Sequence, residues 1–157
     1  MSFHCIELRR VLVATAVVVF GCLGAESRAH ATLGGDVASV ADNQAHLGGT
    51  RTVRKLASGE RHELTLPSGL VVHEYVSPSG AVYAVTWTGP RMPDLRELLG
   101  PYFVQLSAGA SKGGHHHMSL TRSDLVVRSA GHRGSFAGRA WVPSLLPPGV
   151  KVDASLD

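Results

Sequence analysis

Two tripeptides, Pro67-Ser68-Gly69 and Pro78-Ser79-Gly80, restrict the fold of this chain more than any other feature. In each, proline suits the first corner of a type I turn. Glycine suits the left-handed residue that closes a three-residue hairpin loop. The segments they separate, 61–66, 70–77 and 81–88, are rich in Leu, Val, Tyr and Trp. Two such loops in succession predict a three-stranded antiparallel meander.

The loops also set a register. Across the first, Leu64 faces Val72, Glu63 faces His73 and His62 faces Glu74. Across the second, Tyr75 faces Tyr83, His73 faces Val85 and Val71 faces Trp87. Because side chains alternate, Leu64, Leu66, Leu70, Val72, Val76, Val82 and Ala84 are expected on one face, the core. Tyr75, Tyr83 and Trp87 gather on the other with Val71, Val85, Glu63 and His73. That aromatic cluster is a binding candidate, a platform for a sugar or peptide; the competing reading is packing under another element. The pairs Glu63–His73 and His62–Glu74 would set a carboxylate beside an imidazole, as a general base requires. An ordinary opposite-charge pair across two strands looks the same in sequence.

Segment 36–47 carries a capping residue, Asp36, at its start and Gly48-Gly49 after it, as a short N-terminal helix would. Asp94 caps a second helix, in which Leu95, Leu98, Leu99, Tyr102, Phe103 and Leu106 recur at helical spacing. Gly100-Pro101 predicts a kink there. Residues 107–118 read as a Gly-rich loop, 124–129 and 135–142 as a hairpin, and the proline-bearing tail 143–157 as irregular. The expected class is α+β. A small antiparallel sheet, made of the meander and a C-terminal hairpin, packs with one principal helix and the short N-terminal one.

The first residues follow a different logic. Arg9-Arg10, the apolar run 11–20 and Ala29-His30-Ala31 stand in the order of a secretory signal peptide. The run is shorter than the roughly 20 residues that span a bilayer. Cleavage after Ala31 is expected, which leaves one exported domain, 32–157, in the periplasm or secreted. Val19-Phe20-Gly21-Cys22 resembles a lipobox; its use would instead give an outer-membrane lipoprotein held by chains on Cys22. Both cysteines, Cys5 and Cys22, fall in the leader, so the domain has no disulfide and no thiolate chemistry. The leader also takes three of fifteen basic and two of twelve acidic residues, leaving a surplus of two positive charges. With no basic run, that argues against nucleic acid as a partner.

His115-His116-His117 is the conspicuous local feature, since neutral imidazoles bind zinc or copper. A specific site needs three or four ligands converging from fixed positions, and a solvated polar loop is the competing reading. There is no Gly-x-Ser-x-Gly elbow, His-Glu-x-x-His, phosphate loop or dinucleotide fingerprint. The sequence favours a non-catalytic binding or accessory module of the envelope, with an envelope protein or glycan as partner. The alternative is a periplasmic metal-binding protein or metal-dependent enzyme built on the three histidines.

Three stretches carry a family resemblance. Glu74-Tyr75-Val76-Ser77-Pro78-Ser79-Gly80, Ala84-Val85-Thr86-Trp87-Thr88-Gly89-Pro90 and Pro93-Asp94-Leu95-Arg96-Glu97-Leu98-Leu99-Gly100 resemble the bacterial exported proteins of domain of unknown function 2844. Leu33-Gly34-Gly35-Asp36 and Asp124-Leu125-Val126-Val127 fit the same pattern; Pro101 and the triple histidine depart from it. The resemblance implies the envelope of a Gram-negative bacterium and transfers no catalytic residue.

Overall fold

The computed structural model describes residues 33–37, 40, 48–109, 111–113, 117–152 and 156. At its centre is one antiparallel sheet of eight strands. They are β1 (Thr50–Leu56), β2 (Gly59–Thr65), β3 (Val71–Val76), β4 (Val82–Gly89), β5 (Ser111–Gly113), β6 (His117–Thr121), β7 (Val126–His132) and β8 (Ser135–Trp141). Their order is β1-β2-β3-β4-β8-β7-β6-β5, so two four-stranded meanders meet along β4 and β8. The class is α+β with the sheet predominating.

The two Pro-Ser-Gly loops close as their chemistry dictates. The Leu66 N–H donates to the Leu70 carbonyl (2.8 Å), and Ser77 N–H to that of Ala81 (2.9 Å). Gly69 and Gly80 take φ of +79° and +88°, angles a Cβ would penalise.

Two expectations are corrected. The sheet is not a three-stranded meander with a separate hairpin, because β1 adds a fourth strand and the β7–β8 hairpin bonds directly to β4. Residues 107–118 are not one loop: 107–109 end a helix, 111–113 form β5 and 117–118 begin β6.

A third correction concerns register. Val76 pairs with Val82, but Tyr75 pairs with Ala84, Glu74 with Val85 and Val72 with Trp87. Tyr83 is the extra residue of a β-bulge, and beyond it every side chain of β4 changes face relative to β3. Distant segments hold the bulge. Val82 exchanges backbone bonds of 2.8 Å with Gly34 and Gly35, and the Tyr83 carbonyl accepts from Val142 N–H at 3.0 Å. Val82 is thus tied to the residues around Gly34, and Tyr83 to the end of β8.

The two faces of the sheet are therefore not those the hairpin loops imply. The front carries Leu64, Val72, Val85, Trp87, Leu120, Val127 and Ala140, all buried. Over it lie α1 (Leu95–Leu99), a 3-10 turn (Gly100–Tyr102) and α2 (Phe103–Gly109), through Leu95, Leu98, Leu99 and Leu106, together with Leu33 and Val40. Asp94 caps α1, its carboxylate accepting from Arg96 N–H (2.8 Å) and Glu97 N–H (3.4 Å). The expected kink is present, with Gly100 at φ +50°. The rear carries Tyr75, Tyr83, Ala84, Val126 and Trp141, under Leu145, Leu146, Val150, Val152 and Leu156 of the tail.

Of the expected N-terminal helix, Asp36 bridges to Ala81 and Val40 is buried; residues 38, 39 and 41–47 lie outside the described residues. So do Ala29, Ala31 and Cys22. Among the described residues, no helix is long and apolar enough to cross a membrane.

Candidate functional site

Residues paired across neighbouring strands share a face, so the ladder can be followed as a row over the rear of the sheet. One row runs Glu63, His73, Thr86, Arg139, Arg128, Ser119, from β2 to β6. The adjacent row holds Thr88, Ala137 and Ala130. The described tail residues, Leu156 among them, pack over the apolar rows around Tyr75 and Trp141. Beside Leu156, which forms part of its wall, lies a groove of about 600 Å³. Its floor is formed by Thr86, Thr88, Arg128, Arg139, Ala130 and Ala137, and its β6 side by His117 and Ser119.

Among the described residues that line the groove, the charged side chains are two arginines. Arg128 and Arg139 stand directly opposite each other on β7 and β8. The Arg128 guanidinium lies 5.6 Å from the centre of the Trp141 ring, a cation–π contact that orients it. At the far end of the row Glu63 accepts from His73 Nε2–H at 3.2 Å, and Arg61 lies 3.8 Å from the same oxygen. The Glu63–His73 pair is thus a cross-strand ion-pair geometry, away from the groove.

The aromatic candidates occupy other places. Tyr75, Tyr83 and Trp87 are each 1% exposed, so none offers a platform. The bulge also separates them. Tyr75 and Tyr83 pack at 6.1 Å between ring centres on the rear, while Trp87 lies on the front over Gly138. A Cβ built on Gly138 would approach the Trp87 ring to 2.2 Å, so the indole occupies the space that a side chain there would take.

His62 and Glu74 pair in register on the front face and are each 1% exposed. Arg51 Nη2 donates to His62 Nδ1 (2.7 Å), and His62 Nε2 contacts Glu60 Oε2 (3.2 Å). A guanidinium can only donate, so Nδ1 is the acceptor, Nε2 carries the proton and the ring is neutral. Burial holds its pKa below 6.5; Arg51 acts in the same direction, and Glu60 opposes both. A hollow of about 370 Å³ beside the β1–β2 turn is lined by Glu60 but by neither His62 nor Glu74. The pair lies in the core, with no described cavity leading to it.

Of the three histidines, His117 opens β6 and lines the groove; His115 and His116 lie outside the described residues. Among the described residues, no three His, Cys, Asp or Glu side chains are grouped to hold a metal. The sequence marks none of the groove residues Arg128, Arg139, Thr86 and Ser119 as a site candidate, although Thr86 and Arg139 fall in stretches that carry the family resemblance. Their alternation with apolar neighbours marks them as one face of their strands, but only the β4–β8 and β6–β7 pairings bring them together.

The sequence pattern of the family described as "Protein of unknown function (DUF2844)" matches residues 29–154. No curated protein and no solved structure matches the chain.

Proposed function

The chain belongs to the DUF2844 family, and from that premise we propose that it is an exported, non-catalytic binding module whose ligand lies in the rear groove. The observation that carries this reading is the uneven cover of the rear face. Tail residues seal Tyr75, Tyr83 and Trp141, yet leave about 600 Å³ open over Thr86, Arg128 and Arg139. That volume lies within the roughly 300–1,000 Å³ usual for small-molecule sites. Among the described residues, the groove's polar side chains are arginines, hydroxyls and one histidine, a set suited to recognition.

Ala137→Trp fills the groove from an exposed position and leaves both cores untouched. Envelope-derived small molecules are expected to raise the melting midpoint of the wild-type protein and not that of Ala137→Trp. An equal response in both, or in neither, would overturn the assignment. Export is tested separately by N-terminal sequencing after fractionation. A mature chain starting at Thr32 supports it, one starting at Cys22 makes the protein a lipoprotein, and a retained Met1 contradicts it.

A further inference from the structure

We propose that the hollow beside the β1–β2 turn is a second ligand site, one that takes a free α-amino acid with an aliphatic side chain. It lies on the front face and does not rest on the reading of the rear groove. Lys55 and Glu60 stand directly opposite each other on β1 and β2, and Val76 faces Glu60 from β3. All three line the hollow. Among the described residues, the ion pair of Glu60 is with His62 and not with Lys55. An α-amino acid carries its ammonium and its carboxylate on one carbon. It therefore matches an acid and a base held side by side, each through charge-assisted hydrogen bonds.

The acid is held in place from the core. His62 is 1% exposed, and Arg51 fixes its tautomer, so that Nε2–H donates to Glu60 Oε2 at 3.2 Å. A carboxylate oriented in this way loses less freedom when it receives a ligand. Its position follows from Gly59, where a Cβ would run into the Val76 carbonyl. Without one, β2 starts hard against β3 and Glu60 borders the hollow. The neighbouring loop is fixed as well. Ser77 Oγ accepts from Ala81 N–H at 3.2 Å and bonds to Ser79 Oγ at 2.8 Å, across Pro78. Val37, Val76 and Pro78 supply the apolar border. Val37 is 40% exposed, and an aliphatic side chain laid against it takes that surface out of water. The volume of about 370 Å³ lies near the low end of the roughly 300–1,000 Å³ usual for small-molecule sites, which suits a single amino acid.

The test is an NMR titration of the protein with L-leucine. Two comparisons keep the carbon chain and lose one charge: isocaproate lacks the ammonium, and isoamylamine lacks the carboxylate. Leucine is expected to shift the amide signals of Gly59 and Gly80 and to leave that of Ala137, in the rear groove, in place. Each singly charged analogue should bind about tenfold more weakly, the loss of one charged contact. Glu60→Gln and Lys55→Met should each weaken leucine binding by a similar factor. Arg54→Met removes a charge from the adjacent residue of β1, which points to the other face, and should leave binding unchanged. The inference is overturned if leucine moves neither glycine signal, or if either analogue binds as tightly as leucine. It is equally overturned if Arg54→Met weakens binding as much as Lys55→Met, a sign of diffuse attraction. A response confined to Ala137 would put the amino acid in the groove and remove the second site.

Discussion

On the front of the sheet, Trp87 and Gly138 meet so closely that no other residue fits beneath the indole. One residue further along, on the rear, Thr88 and Ala137 stand exposed over a groove. The same two strands supply both arrangements. The front packs its apolar rows against Leu33, Val40, Leu95, Leu98, Leu99 and Leu106, and its contribution is stability. On the rear, the described tail residues pack over Tyr75, Tyr83 and Trp141, while Thr88, Ala130 and Ala137 stay exposed beside Arg128 and Arg139. The bulge at Tyr83 sets this division, because it carries Val85 and Trp87 to the front and leaves Thr86 and Thr88 behind.

The contrast is sharpest at neighbouring positions. Trp87→Ala is expected to cost about 3–5 kcal/mol, the usual penalty for emptying a core aromatic site. Thr88→Ala should change stability by no more than about 0.5 kcal/mol. Urea unfolding of both variants measures the difference, and equal midpoints would break the assignment of faces. Next in size, Gly138→Val forces atoms into the Trp87 ring, for a loss of about 1–3 kcal/mol; Ala137→Val, its rear-facing neighbour, should be tolerated. A Gly138→Val protein as stable as the wild type would place the indole elsewhere.

Acid should expose the buried imidazole of the front face. Because burial lowers the pKa of His62 from 6.5, the unfolded chain binds a proton that the folded chain resists. Its contribution is intact above pH 6.5 and is lost as pH falls from there through the lowered folded value. His62→Gln is expected to flatten that part of the stability–pH curve. His73, on the rear and beside Glu63, serves as the comparison, and a slope that disappears with His73→Gln instead would reassign it.

Local chemistry made much of this fold legible. The Pro-Ser-Gly loops, the Asp94 cap and the Gly100 kink each depend on a few adjacent residues, and each stands where the sequence placed it. The first hairpin's register follows from its loop alone, and Glu63–His73 and His62–Glu74 pair as expected. The second fails at Tyr83, because the bonds that fix the bulge come from Gly34, Gly35 and Val142, far away in sequence. β1 lacks a strand signal in the sequence for another reason. As an edge strand exposed along most of its length, it carries Arg51, Arg54 and Lys55 in place of an apolar stripe, a common protection against edge-to-edge association. The groove was invisible for a third, since it exists only where the two meanders join.

The central claim is that the described tail residues cover the rear face around Tyr75 and Trp141 while Ala130 and Ala137 stay exposed. Residues 32–157 contain no cysteine, so single cysteines report accessibility directly in a protein made of those residues. The decisive measurement is the rate at which a maleimide labels Ala137→Cys and Ala130→Cys, set against Ala84→Cys beneath the tail. The account predicts that the first two react as freely as an unfolded control and that Ala84→Cys is protected until the protein unfolds. Protection of Ala137→Cys to the same degree as Ala84→Cys would contradict it.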